Sequence, residues 1–231
     1  MHHWTSDGKF WTGVCVTPVG RPREFDADVA LDRALELFWR NGYEGASINE
    51  IADAMGVSKP SLYAAFGDKE SLYLRALARY GERQRSVHAR VLEAEPDARR
   101  AVESLMLSAV EALADPDKPS GCMVVSGTTS CASPGVPESV KHALVEALHG
   151  AGKAIEARLA RAKREGQLPA STDVTALAVY FNTVLAGLSV QARGQQCAHV
   201  LRDIVAPTMR AWPTEVEPAR KASSRRQRQT I

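Results

Sequence analysis

Hydroxyl and ammonium groups are concentrated in the stretch GVSKPSLYAAFGDKE, residues 56–70. Such groups donate hydrogen bonds to base edges and to phosphate oxygens, and a proline ring can pack on a thymine methyl group. The side chains that carry this chemistry are Ser58, Lys59, Pro60, Ser61, Tyr63 and Lys69. The residue types indicate noncovalent recognition of a nucleic acid rather than bond making or breaking.

A short helix must hold these groups. Ser58 is a suitable N-cap, and Leu62 and Phe66, four residues apart, would face the protein interior. Small side chains then lie on the opposite face, with Tyr63 on its flank. Such a slim face fits the major groove, about 12 Å wide, and its N-terminal residues, from Lys59 onward, would meet the bases.

The residues before this helix predict a helix-turn-helix. Ser47 and Glu50 have capping-box spacing, and an apolar face follows as far as Met55. Gly56 and Val57 alone separate the two helices, which is the tight connection of this motif. A preceding helix is predicted from an Asp26 cap to the region of Asn41-Gly42, with Leu31, Leu35 and Phe38 on one face.

Two lysines oppose the dipoles of the helices that they begin. Lys59 and Lys69 each lie at a helix N-terminus, where a cation costs a few tenths of a kcal/mol. A bound phosphate would reverse the sign of the local field, and the free amides at the start of the helix that Asp68 can cap would add donors. We therefore expect a phosphate site at Lys69.

Residues 20–73 resemble the N-terminal DNA-binding domain of the TetR/AcrR family of transcriptional regulators. The resemblance depends on FWRNGYEG, SINEIA and GVSKPSLYxxFGDKE, and it covers under a quarter of the chain. Many members have a histidine two positions after the tyrosine, and Ala65 stands there instead. The resemblance implies phosphate contacts from some side chains and base contacts from others: Ser47, Tyr63 and Lys69 to the backbone, and Lys59, Pro60 and Ser61 to bases.

Basic residues flank the predicted helical region. Arg21 and Arg23, in GRPR, would form an arm in the minor groove or a disordered basic end. The predicted divisions are a leader (1–19), a helix-turn-helix domain (20–67), a helical ligand-binding and dimerisation domain (68–212) whose helix 68–91 is the connector, and a basic disordered tail (213–231). Without the five cations that follow Glu217, a net charge of +2 becomes −3, so placed cations rather than a basic surface would bind DNA.

The C-terminal part is predicted to be entirely helical, which makes the fold class all-α. Residues 121–136 are interpreted as a short helix and a loop, followed by helices at about 138–166, 172–193 and 195–212. The last two carry apolar stripes that would either form a symmetric homodimer or stay within one chain as core. A dimer predicts an inverted-repeat operator in double-stranded DNA.

The resemblance also implies a cavity for a small, partly apolar effector. Candidate lining residues are Met106, Cys122, Met123, Tyr180 and Phe181, although methionine and aromatic side chains more often form core. Helix four would couple the effector to DNA binding. No cofactor is expected.

Other function classes have little support in the sequence. The region around Ser126 lacks the G-x-S-x-G frame, there is no P-loop or H-E-x-x-H motif, and the four cysteines show no C-x-x-C pairing or metal-ligand spacing. These missing motifs predict a protein without catalytic activity. The absence of a signal peptide and of a membrane-spanning run predicts a cytoplasmic location. A ligand-responsive repressor is the favoured function. An activator, or a small-molecule or lipid carrier with a vestigial DNA-binding domain, remains an alternative.

Overall fold

A computed structural model describes residues 25–214, and over these residues it contains helices and no strand. The all-α prediction is confirmed. The helices are α1 (Ala27–Gly45), α2 (Ile48–Met55), α3 (Lys59–Phe66), α4 (Lys69–Ala94), α5 (Ala98–Leu113), α6 (Met123–Thr129), α7 (Glu138–Arg164), α8 (Val174–Arg193), α9 (Ala198–Asp203) and α10 (Val205–Met209).

Side-chain caps start the first four helices where the sequence predicts them. Asp26, Ser47, Ser58 and Asp68 each accept a hydrogen bond from a backbone N–H of the first turn. The helical conformation of α1 is interrupted at Gly42, which has φ 72° and ψ −177°. The helix stop expected at Asn41-Gly42 is thus a break inside α1.

Two apolar cores stabilise the chain. The first contains side chains of α1 to α4 together with Met123 of α6 and Val140 and Leu144 of α7, all nearly inaccessible to solvent. The second joins the end of α4 to α5, the later part of α7 and α8 to α10. The helix-turn-helix therefore shares its core with helices far along the chain.

Ion pairs also join α1 to α4. The Nε atom of Arg79 lies 2.5 Å from Asp32, and Nη1 of the same arginine lies 2.6 Å from Asp28. Arg83 lies 2.6 Å from Asp32. Burial raises the pKa of Asp32, but the two arginines outweigh burial, so this pKa lies below its usual value.

The predicted last helix is two helices. Residues 195–212 contain α9 and α10, and the break follows Asp203. Pro207 explains the break, because proline cannot donate to the carbonyl four residues earlier and its ring clashes with that carbonyl. The expected short helix within residues 121–136 is α6, and that prediction is confirmed.

Candidate DNA-binding face and effector cavity

Hydrogen bonds between residues close in sequence fix both ends of α2. The Ser47 hydroxyl accepts from the backbone N–H of Glu50 at 3.2 Å, while the Glu50 carboxylate accepts from the Ser47 N–H at 2.8 Å. These bonds lower the pKa of Glu50. Gly56 ends α2 in the left-handed region, with φ 72°. Only a residue tolerant of that conformation permits so tight a turn into α3.

The orientation of α3 agrees with the sequence analysis. Leu62 is fully buried and Phe66 is 4% exposed, whereas Lys59 and Pro60 are exposed and Tyr63 is 48% exposed. Because the inward side chains fix the helix phase, the predicted base-contacting side is the solvent side. Its small residues leave the backbone accessible to a groove.

Two predicted contact residues bond to each other. The Ser58 and Ser61 hydroxyl oxygens are 2.8 Å apart, and Ser58 also accepts from the Ser61 N–H at 3.3 Å. Ser58 therefore acts first as the cap of α3. Ser61 is half-buried and has its hydroxyl held at the edge of the exposed face.

Lys69 lies at the first position of α4, against an aromatic ring. Its Nζ atom is 4.6 Å from the ring centroid of Tyr43, a residue that the sequence analysis did not select. Burial lowers the pKa of Lys69, and the nearby carboxylates of Glu44 and Glu50 oppose that shift. Lys69 thus lies near Glu50, the residue that forms the capping box of α2 with Ser47. The predicted arm residues Arg21 and Arg23 lie outside the described residues.

A partly open space of about 100 Å³, here called the inner cavity, lies between α4, α5, α6 and α8. Apolar side chains such as Leu105 and Leu185 line it, with Ser108, Asn182 and Cys122 among the polar groups. A second space of about 380 Å³, the outer groove, lies between α4 and α7. Both have the mixed lining typical of small-molecule sites.

One face of α4 forms a wall of both spaces. Tyr80, Gln84 and His88 line the inner cavity and the outer groove alike, and their four-residue spacing is the sequence signal for this wall. The Tyr80 hydroxyl donates to Cys122 Sγ at 3.2 Å, and burial raises the pKa of Tyr80. Burial lowers the pKa of His88, so its neutral form is favoured.

Two family models match the chain. The model described as bacterial regulatory proteins, tetR family, matches residues 30–76, and the tetracyclin repressor-like C-terminal domain matches residues 98–207. The HTH-type transcriptional repressor ComR of Escherichia coli (strain K12) is 34% identical over 206 residues, covering 86% of this chain and 94% of that protein. This chain belongs to the TetR family.

Other TetR-family members agree with this assignment. The repressor BdcR of Escherichia coli (strain K12) is 29% identical over 174 residues, covering 75% of this chain and 82% of BdcR. A solved cysteine mutant of the TetR-family regulator CifR, complexed with 26-bp double-strand operator DNA, is 40% identical with a TM-score of 0.78. That comparison covers 84% of this chain and 100% of CifR. The chain is accordingly a DNA-binding transcriptional regulator.

Most of the five predicted effector residues do not line the inner cavity. Of the five, only Cys122 lines the inner cavity. Met106, Met123 and Phe181 are almost fully buried in the two cores, and Tyr180 is 40% exposed on α8. None of these four side chains lines the inner cavity, and their assignment as effector contacts stays a prediction. Among the described residues, no group of three potential metal ligands comes together.

The α8 helix of this TetR-family chain is long and apolar. Among the described residues it is the one helix long and apolar enough to cross a membrane by length and composition, with a mean hydropathy of 1.4, and 22% of that window is buried. A core or interface helix of a globular protein meets the same criteria. Its exposed apolar residues include Val179, Tyr180 and Val190.

Proposed function

We propose that the protein is a ligand-responsive repressor that binds an inverted-repeat operator as a homodimer. The observation that carries this proposal is the N-terminal end of α3, where Lys59 and Pro60 are exposed and Ser61 is half-buried, directly after the tight turn at Gly56. Ser47, Tyr63 and Lys69 would bind flanking phosphates, and Arg21 and Arg23 would enter the minor groove. A cytoplasmic, regulatory and non-catalytic role follows from this proposal.

Exposed apolar surface on α7 and α8 supports the dimer. Val145 of α7 and Val179 of α8 are 42% and 61% exposed, and Gly152 and Ala186 line a groove of about 490 Å³ between the two helices. The prediction that used the last two helices needs revision. Leu201, Val205 and Met209 are buried in the second core of the same chain, so α7 and α8 replace the last helix in the proposed interface.

Contacts of α4 and α8 support effector coupling. Both spaces touch the Tyr80 face of α4, and the Arg79 side of the same helix is bonded to α1. In α8, Ser189 accepts from the Cys122 N–H at 2.8 Å, and Arg193 donates to the carbonyl of Arg40 at 3.0 Å. A small, mainly apolar effector that favours a different α4 position would therefore alter the spacing of the two recognition helices.

Selection of genomic DNA fragments with the purified full-length protein tests the proposal. We expect recovery of one inverted repeat at physiological salt, and loss of this recovery in the Lys59→Ala/Ser61→Ala variant. Repression or activation is then measured with a reporter placed behind the recovered sequence. Small apolar compounds that release the protein from that sequence would identify the effector class.

Other results of the selection would favour an alternative. Activation of the reporter would replace repression, and one relative named as an activator, FasR of Mycolicibacterium smegmatis, matches 59 residues at 46% identity. Sequence-independent, salt-sensitive binding would instead favour the small-molecule or lipid carrier.

A further inference from the structure

Arg75 of α4 lies beside the C-terminal end of α3. Its Nη1 atom donates to the carbonyl oxygen of Ala65 at 3.3 Å, and its guanidinium carbon is 5.7 Å from the ring centroid of the buried Phe66. The side chain is exposed. The ring and the carbonyl together orient the guanidinium at the edge of the recognition helix.

The charge of Arg75 has no acidic partner among residues 25–214. Three other arginines of α4 bind carboxylates there: Arg79 binds Asp28 and Asp32, Arg83 binds Asp32, and Arg85 binds Glu82. Arg75 has five N–H donors, and Ala65 accepts from one of its nitrogens. Donors therefore remain for a ligand from solution.

Position along α3 identifies that ligand. With eight residues, α3 is about 12 Å long, which is close to the width of the major groove. Lys59 lies at its first turn and Arg75 beside its last. A recognition helix in the groove thus has one of these cations near each of its ends, where the two phosphate backbones border the groove.

The last turn of α3 needs a cation if a phosphate approaches. Ala64 and Ala65 supply only methyl groups, and the carbonyl groups at a helix C-terminus carry partial negative charge that repels an anion. Arg75 occupies one such carbonyl and adds a full positive charge. Its planar guanidinium can bind two phosphate oxygens at once.

We propose that Arg75 binds a DNA backbone phosphate at the C-terminal end of the recognition helix. This inference rests on the proposed function, because it assumes that α3 enters the major groove. It adds a cation from α4 to the contacts at Lys69 and Tyr63. The contact fixes the orientation of α3 and reads no base.

The test measures binding of the full-length protein to fluorescein-labelled duplexes between about 50 and about 200 mM salt. The duplexes are the fragment recovered by genomic selection and a random sequence of the same length. Variants are Arg75→Met, which keeps the aliphatic stem over Phe66, Arg75→Lys, which keeps the charge, and Lys59→Ala. The matched control is Arg90→Ala, which removes another exposed α4 arginine far from α3.

Arg75→Met is expected to weaken binding by about tenfold per protomer. The slope of log K against log salt should fall by about 0.9 per protomer, or about 1.8 for a dimer. Arg75→Lys should keep most of the slope, and Arg90→Ala should keep all of it. Thermal unfolding of each variant shows whether the fold is intact.

A purely structural role for Arg75 predicts something else. Arg75→Met would then change thermal stability or affinity without changing the salt slope, and this result would overturn the inference. If Lys59→Ala lowers the affinity and slope while Arg75→Met does not, only the inference fails. If neither variant changes binding, the proposed DNA-binding face fails as well.

Discussion

The DNA-binding face and the inner cavity are built in opposite ways. Bonds between residues three to five positions apart shape α2 and the turn into α3, such as Ser47 with Glu50 at the start of α2 and Val57 with Ala52 in the turn. The inner cavity has walls from α4, α5, α6 and α8, which are far apart along the chain. Substitutions in the face should therefore act locally, whereas substitutions around the cavity should act through the packing of several helices.

The largest expected effect comes from Leu144 of α7. It shows a limit of the contrast, because α7 lies far along the chain and still packs in the core below the DNA-binding face. Leu144 is 1% exposed in the first core, so Leu144→Ala should lower the free energy of unfolding by about 2–5 kcal/mol. Urea unfolding followed by far-UV circular dichroism measures this change. Arg164→Ala, at an exposed site of the same helix, should change stability by at most about 0.5 kcal/mol. Equal effects of the two substitutions would contradict the shared core.

A pair of caps sharpens the contrast at an intermediate magnitude. Ser47→Ala removes the capping box of α2, and Asp173→Ala removes the side chain that accepts from the Ala176 N–H at the start of α8. Each should cost about 1 kcal/mol of stability. Only Ser47→Ala should also weaken DNA binding strongly, because Ser47 is a proposed phosphate contact and α2, unlike α8, packs against α3. Equal losses of DNA affinity would argue against local control of the face.

The smallest expected effect concerns pH and the cavity. Burial lowers the pKa of His88 in the folded protein below its usual 6.5. Between pH 6.5 and this lower pKa, the unfolded state therefore binds more protons than the folded state. The contribution of neutral His88 to the free energy of unfolding is thus fully present above pH 6.5 and is lost as pH falls through the folded-state pKa. His88→Asn should reduce the decline in urea stability between pH 7.5 and about pH 5.

A control keeps this pH experiment specific. His199→Asn, at an exposed position of α9, should leave the decline as it is in the unchanged protein. A His88→Asn protein with an unchanged decline would mean that His88 contributes no linkage through its burial.

Local sequence patterns predicted much of the fold, because helix caps and helix phase depend on residues a few positions apart. The caps at Asp26, Ser47, Ser58 and Asp68 and the inward pair of α3 lie where their spacing indicates. The break before α10 was missed, although Pro207 provides the signal for it. The helix was predicted from the overall helix propensity of residues 195–212, which gives little weight to one proline. The effect of Pro207 appears four residues earlier, at the carbonyl of Asp203.

The candidate sites differ in the same way. The predicted DNA contacts Lys59, Pro60 and Tyr63 are exposed because one helix phase decides all three. The predicted effector residues depend on the relative rotation of several helices, which periodicity within one helix does not fix. Met106 and Phe181 are suitable ligand contacts by type, and both are buried in the second core. The sequence predicted no role for Arg75, because its proposed role depends on a contact between α4 and α3.

The shared first core restricts how this regulator can be recombined with others. A cut after residue 67 would separate α1 to α3 from the side chains of Leu72, Met123, Val140 and Leu144 that complete their core. A chimera that exchanges only the helix-turn-helix would therefore expose apolar surface on both fragments. The DNA-binding unit can be transferred only together with α4, α6 and the beginning of α7. The part that can be exchanged is therefore larger than the helix-turn-helix domain predicted from the sequence.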